Sequence, residues 1–161
     1  MRLQSGTVAG TIMLTPSFAT ASGAIDLTPV TPPSLSMRIP QSAPQLLSVV
    51  LSSRITNGFT LLVTGYATGR SITQIDLQFT PTAGENVGVT KISMNVDSTF
   101  SAWYQSTASQ AFGSLFTATI PFTLAGDLVN AKELIDTLQS VSVTLTNRQG
   151  VSTPKSVDLH Q

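Results

Sequence analysis

The chain has 161 residues, enough for one domain of ordinary size with a buried core. Charged residues make up only 10 %, eight basic and eight acidic side chains cancel, and there is no cysteine. That excludes a basic nucleic-acid-binding stripe, a polybasic membrane patch, disulfides, thiolate metal sites and cysteine nucleophiles.

Hydrophobic residues reach 41 %, so low charge does not signal disorder here. Polar faces are built from Ser and Thr, and the branched Cβ of Thr packs well on a pleated surface. No apolar run approaches a membrane span. Met1-Arg2-Leu3-Gln4-Ser5-Gly6-Thr7 lacks the apolar core of a signal peptide. An export signal is expected upstream, with Met1 an added residue on a fragment.

In chain order, residues 7–15 alternate Val8, Gly10, Ile12 and Leu14 on one face, and the run 23–28 is expected to pair back on them. Pro29, Pro32, Pro33, Pro40 and Pro44 make the next stretch extended. Leu35, Met37 and Ile39 alternate within it, which favours an edge strand. A boundary near Ala43-Pro44 divides an N-terminal unit, 1–43, from a body, 44–161.

Within the body, strands are predicted at about 46–52, 58–66, 71–80, 87–96, 114–124, 139–147 and 151–159. Phe59, Leu61 and Val63, then Ile75, Leu77 and Phe79, repeat with period two, so each run buries one row and wets the other. Turn residues fill the gaps at Asn57-Gly58, Gly69-Arg70, Pro81-Thr82-Ala83-Gly84 and Asn147-Arg148-Gln149-Gly150. This spacing predicts an all-β fold: an immunoglobulin-like antiparallel β-sandwich.

One segment breaks the pattern. Asp97-Ser98 is expected to cap a helix carrying Phe100, Trp103/Tyr104, Thr107 and Ala111, with Gly113 in the left-handed position after it. A second short helix is expected from Val129 to Asp136. Such helical crossovers are expected to plug one open end of the core.

Catalytic constellations fail on inventory. The only histidine is His160, and no nucleophile elbow, phosphate loop or paired-histidine motif exists. The carboxylates are Asp26, Asp76, Glu85, Asp97, Asp127, Glu133, Asp136 and Asp158. Asp76 lies opposite the apolar row and is expected to face solvent. Asp97 is assigned to capping, and Glu133 and Asp136 to the short helix. Glu85-Asn86 and Asp127 with Asn130 each supply too few oxygens for calcium, Asp127 being the better of the two. Lys91, Lys132 and Lys155 sit in polar or terminal contexts, which argues against a Lys–Asn isopeptide crosslink. No cofactor or metal site is expected.

Trp103 and Tyr104 are the candidate ligand-binding residues, because aromatic faces stack on sugar rings. The structural alternative is a core plug. Adjacent helical residues diverge by about 100°, so burying Trp103 is expected to leave Tyr104 partly exposed as the contact.

Gly6-Thr7-Val8-Ala9-Gly10-Thr11-Ile12, Ala43-Pro44, Gly58-Phe59, Val63-Thr64-Gly65-Tyr66-Ala67-Thr68, Val141-Ser142-Val143-Thr144-Leu145-Thr146-Asn147 and, most specifically, Phe100-Ser101-Ala102-Trp103-Tyr104-Gln105-Ser106 carry a resemblance. Together they resemble Ig-like β-sandwich modules near the C-terminus of large secreted bacterial surface proteins. The resemblance implies the fold and an extracellular or cell-surface setting, and it brings no catalytic residues. It also implies that residues 1–43 are the last strands of a preceding module. The expected function is a non-catalytic structural or adhesion and interaction module; the alternative is a carbohydrate-binding module. Expected partners are neighbouring modules of the same parent chain, or a protein or polysaccharide. Nucleic acid and membrane insertion are not expected, and free strand edges invite self-association.

Overall fold

A computed structural model describes residues 6–125 and 134–160. The chain is mostly β. It begins with a two-stranded ribbon, β1 (Gly10–Leu14) paired antiparallel with β2 (Leu35–Ile39). The body follows with β3 (Gln45–Ile55), β4 (Gly58–Tyr66), β5 (Gln74–Pro81) and β6 (Lys91–Asn95). Two short helices, α1 (Asp97–Gln105) and α2 (Thr107–Gln110), lead to β7 (Leu115–Thr123). A single 3₁₀ turn (Leu134–Thr137) precedes β8 (Leu138–Asn147), β9 (Gly150–Val151) and β10 (Lys155–Asp158).

The body strands form two antiparallel sheets. One has the order β3-β4-β7; the other runs β10-β8-β5-β6, with β9 attached to β8. Their inner rows follow the period-two pattern: Phe59, Leu61 and Val63 on β4 face Ile75, Leu77 and Phe79 on β5 and Val141, Val143 and Leu145 on β8, all buried in one core. Phe79 reaches across from its sheet to Phe122 of the other, with ring centroids 5.1 Å apart. This core begins at Leu46 and takes no side chain from the ribbon.

The two ends of the body are closed differently. At one end α1 places Phe100 edge-on against Phe116, with centroids 4.8 Å apart. At the other, Ile135 of the 3₁₀ turn is fully buried, and its N–H donates to the Thr56 carbonyl at 3.3 Å. The helices thus plug one open end, as the sequence predicts.

Three expectations are corrected. The run 23–28 does not pair with β1; it folds back on its own neighbours through an Ala19–Asp26 bridge, and β1 takes β2 as its partner. The last predicted strand is split into β9 and β10, because the Ser152 N–H and hydroxyl both turn back to Leu145 and leave residues 152–154 outside the ladder. Of the second predicted helix, residues 129–133 lie outside the described residues, and the remainder is only the 3₁₀ turn.

Candidate functional site

The helical crossover carries the sequence-predicted site residues, and its local structure follows from side-chain capping. Asp97 is the first residue of α1 rather than its cap, correcting the sequence expectation. The Asn95 Oδ1 accepts the Asp97 N–H at 3.1 Å, while the Asp97 carboxylate sits in the first turn, where the helix dipole favours it. Helix α1 stops at Ser106, whose hydroxyl donates to the Trp103 carbonyl at 2.7 Å and accepts the Ser109 N–H at 3.3 Å. One hydroxyl therefore ends α1 and starts α2. Gly113 has φ +64°, the left-handed conformation expected of it.

Phe100 and Tyr104, four residues apart, form the buried face of α1. Tyr104 is only 6 % exposed, and its Oη donates to the Ser114 carbonyl at 3.0 Å. Trp103, the next position round the helix, is half-buried at the margin. The expected order is thus reversed: Tyr104 is the core residue and Trp103 the surface one. The physical reason is that Phe100 sets the inward direction, and the residue one full turn later follows it.

Arg70 locks this arrangement from below, a role the sequence did not reveal. It sits at φ +51° in the turn after β4. Its guanidinium lies 5.5 Å from the centre of the Tyr104 ring and donates to the Tyr104 carbonyl and to Ser109 Oγ, the latter at 2.8 Å. Ser109 is fully buried, with the carbonyls of Tyr104 and Ser106 within donating distance at 3.1 and 2.8 Å. Burial pushes the Tyr104 hydroxyl up to about 12, and the Arg70 charge only partly opposes it.

On the outer side, a groove of about 470 Å³ runs between α1 and β7, the last strand of its sheet. Phe100 and Phe116 form its base, with Trp103, Phe112, Thr117 and Thr119 among its walls. Phe112 is 54 % exposed; its ring lies 6.4 Å from that of Trp103 at 30°. The Trp103 Nε1 is shielded from water and has no partner. Among the described residues, no charged side chain lines the groove. Sequence reading missed Phe112, whose only signal is its place beside the turn glycine Gly113.

The described carboxylates serve local structure. Asp76 accepts hydrogen bonds from Gln74 Nε2 at 2.8 Å and from Ser93 Oγ, with Lys91 Nζ 3.9 Å away. The Ser93 hydroxyl holds its carboxyl below the usual carboxylate range, against a smaller desolvation effect. Asp26 Oδ1 accepts the Thr28 N–H at 2.8 Å, Asp136 pairs with Arg54, and Asp158 Oδ1 accepts the His160 N–H at 2.7 Å. Asp127, Asn130, Lys132 and Glu133 lie outside the described residues. Among the described residues, no three His, Asp or Glu side chains cluster as metal ligands would. Among the described residues, no helix is long and apolar enough to cross a membrane. No protein-family model, curated protein or solved structure matches the chain.

Proposed function

We propose that the protein is an Ig-like β-sandwich module of an exported bacterial surface protein, acting as a structural spacer or an adhesion and interaction module without catalysis. The strand order supports the Ig-like part. Counting from β3 and taking β9 and β10 as two pieces of one final strand, the first, second and fifth strands share one sheet, and the third, sixth and seventh share the other. An immunoglobulin constant-type sandwich divides its strands the same way except for the fourth, here β6, which has moved across to the edge beside β5.

The observation that carries the spacer role is where the chain enters and leaves the body. It enters at Ser42, whose carbonyl accepts from Asn147 Nδ2 at 3.0 Å at one end of β8. It leaves at Leu159, whose N–H donates to Gln139 at 2.9 Å, and at His160, whose ring meets the Leu138 carbonyl at 2.8 Å, both at the other end. Strand β8 spans about 30 Å between them. Entry and exit at opposite ends let modules follow one another in line, and the hydroxyl-rich, weakly charged surface suits an exposed setting.

The second reading is a carbohydrate-binding module, and the half-buried Trp103 beside the exposed Phe112 favours it. Trp103 is the only tryptophan, so its fluorescence separates the two readings. The spectrum is to be recorded with acrylamide and against a panel of soluble polysaccharides. The spacer reading expects a spectrum that no glycan changes. A shift with one glycan, abolished in Phe112→Ala, would establish the carbohydrate reading in its place.

A further inference from the structure

Strand β7 ends the three-stranded sheet, so it has a partner strand on one side only. Alternation fixes which of its backbone groups face that partner, β4. The Leu124 N–H donates to the Asn57 carbonyl in the β3–β4 turn at 2.7 Å, whereas the Leu115 N–H turns away to the Phe112 carbonyl at 3.0 Å. Thr64 Oγ1 and Thr117 Oγ1, opposite one another in the register, lie 3.1 Å apart, the close side-chain approach of a pair that exchanges no backbone bonds. Pro121, of the same parity, has no N–H to give. The even-numbered residues therefore hold β4, and the N–H and C=O groups of Thr117 and Thr119 point away from the sheet. Both threonines line the groove of about 470 Å³, so this free edge forms one of its walls, with Thr99, Phe100 and Trp103 of α1 on the other side.

The other edges of the two body sheets carry devices that discourage pairing. Strand β3 has two register shifts and Arg54, β6 begins at Lys91, and β10 has Lys155 and Asp158 at its ends. Residues 115–119 carry no charge and no proline, and their register with β4 is unbroken. The inner side of this stretch is also short of cover. Ala118 is half-buried, while Val63, its neighbour on β4, is fully buried.

We propose that this edge is a docking site for an uncharged, extended segment of a partner protein, which adds to β7 as a further strand and fills the groove. The proposal rests on the interaction-module reading above and names the chemistry of the partner. Three observations select that occupant. The first is the backbone. Covering the groove strips water from Thr117 and Thr119, and their N–H and C=O groups then need replacement bonds. A strand supplies these in matching order and at the same repeat; a purely apolar ligand does not. The second is room. A strand residue takes up about 4.8 by 10 by 3.4 Å, so about 470 Å³ holds roughly three, those facing Thr117, Ala118 and Thr119. That is a single short run of chain, not the edge of a second folded body. The third is charge. Among the described residues no charged side chain lines the groove, so a charge buried against Phe100 and Phe116 would meet no counter-charge. The partner residue facing Ala118 points the same way as Ala118, towards those rings, and is therefore small or apolar.

The probes are short synthetic peptides, acetylated and amidated, that alternate Thr with Ala, Val, Leu or Phe, titrated to about 1 mM. The readout is hydrogen exchange at single amides of the full chain. Without peptide, Thr117 and Thr119 should exchange fast while Phe116 and Ala118 are protected by β4. The peptide that binds best should protect Thr117 and Thr119 in a saturable way. Thr119→Pro removes one outward N–H, as Pro121 already does two positions on, and is expected to weaken binding about tenfold, the worth of one hydrogen bond. Methylating alternate backbone nitrogens of the peptide tests the edge with the protein unaltered. The set that faces β7 should abolish binding, and the other set should not; equal effects from both overturn the proposal. So does a panel with no binder, protection of Thr117 and Thr119 in the free protein, or binding that leaves those two amides exposed. A dimer that forms without peptide and protects the same amides gives the edge to a second copy and overturns it too. The glycan test reads Trp103 and this one reads two amides of β7, so either reading can fail without the other.

Discussion

Tyr104 Oη and the Ser114 carbonyl, 3.0 Å apart inside the protein, tie the helical plug to the start of β7. Ser114 is itself fully buried and bonds onward to Thr7, so the contact links helix, sheet and ribbon base in one chain of hydrogen bonds. Tyr104→Phe keeps the ring against Phe100 and removes only the donor. Leaving a buried carbonyl without this donor is expected to cost about 1–3 kcal/mol, read as a lower urea midpoint with unchanged slope. No change in midpoint would mean that water replaces the phenol.

The same residue sets an alkaline limit. The folded pKa of Tyr104 stands at about 12, above the 10.0 of a free tyrosine, so the folded state holds the proton more tightly than the unfolded chain. Its contribution to stability is complete below pH 10 and declines as pH rises from 10 towards 12, because the unfolded chain loses the proton first. The measurement is the difference in unfolding free energy between wild type and Tyr104→Phe across that window. The wild type should fall more steeply, and parallel curves would exclude the mechanism.

Asn147 closes the same end of the body with three bonds from one buried amide. Its Nδ2 donates to the Ser42 carbonyl at 3.0 Å, and its Oδ1 accepts the Gln149 and Gly150 N–H groups at 2.8 and 3.2 Å. Asn147→Asp keeps the acceptor for the turn and loses the donor for the linker. It is expected to speed hydrogen exchange at residues 42–45 while residues 149–150 stay protected. Asn147→Ala should release both segments and cost about 1–3 kcal/mol. Equal behaviour of the two variants would show that the turn and the linker are not separately held.

The body strands were legible because burial on one face imposes a period that survives in sequence. Phe59-x-Leu61-x-Val63 and Ile75-x-Leu77-x-Phe79 each declare their inner row. Partner choice was less legible. The row in residues 10–14 was visible, yet residues 23–28 were the nearer candidate and β2 the true partner. The Thr20 N–H and Leu27 N–H bonds, to Ile25 and Phe18, close a local turn that takes residues 23–28 out of competition. The helix was visible but not its phase. Periodicity gives the angle between Trp103 and Tyr104; only the Phe100–Phe116 contact says which one points inward. Arg70 was illegible because an arginine in a turn ordinarily points to water, and nothing local records that Tyr104 and Ser109 fold over it.

Two glycines give the sharpest test of the packing. Gly65 lies near the end of the central strand β4, opposite Leu46 on one side and Phe116 on the other. A Cβ there would sit 2.6 Å from the Gln45 carbonyl oxygen and 3.1 Å from Phe116 Cζ. The first neighbour is backbone and cannot rotate away, and the second is pinned edge-on against Phe100 at 4.8 Å. Gly65→Ala must therefore push β3 off its register or drive Phe116 into the plug, an overpacking cost of about 1–3 kcal/mol. Gly10, in the ribbon, has nothing within 4 Å of the same added carbon. Gly10→Ala should leave the urea midpoint of the body unchanged, since the ribbon contributes nothing to the core. A Gly65→Ala protein as stable as wild type would mean that β3 and β4 do not approach as closely as this register requires.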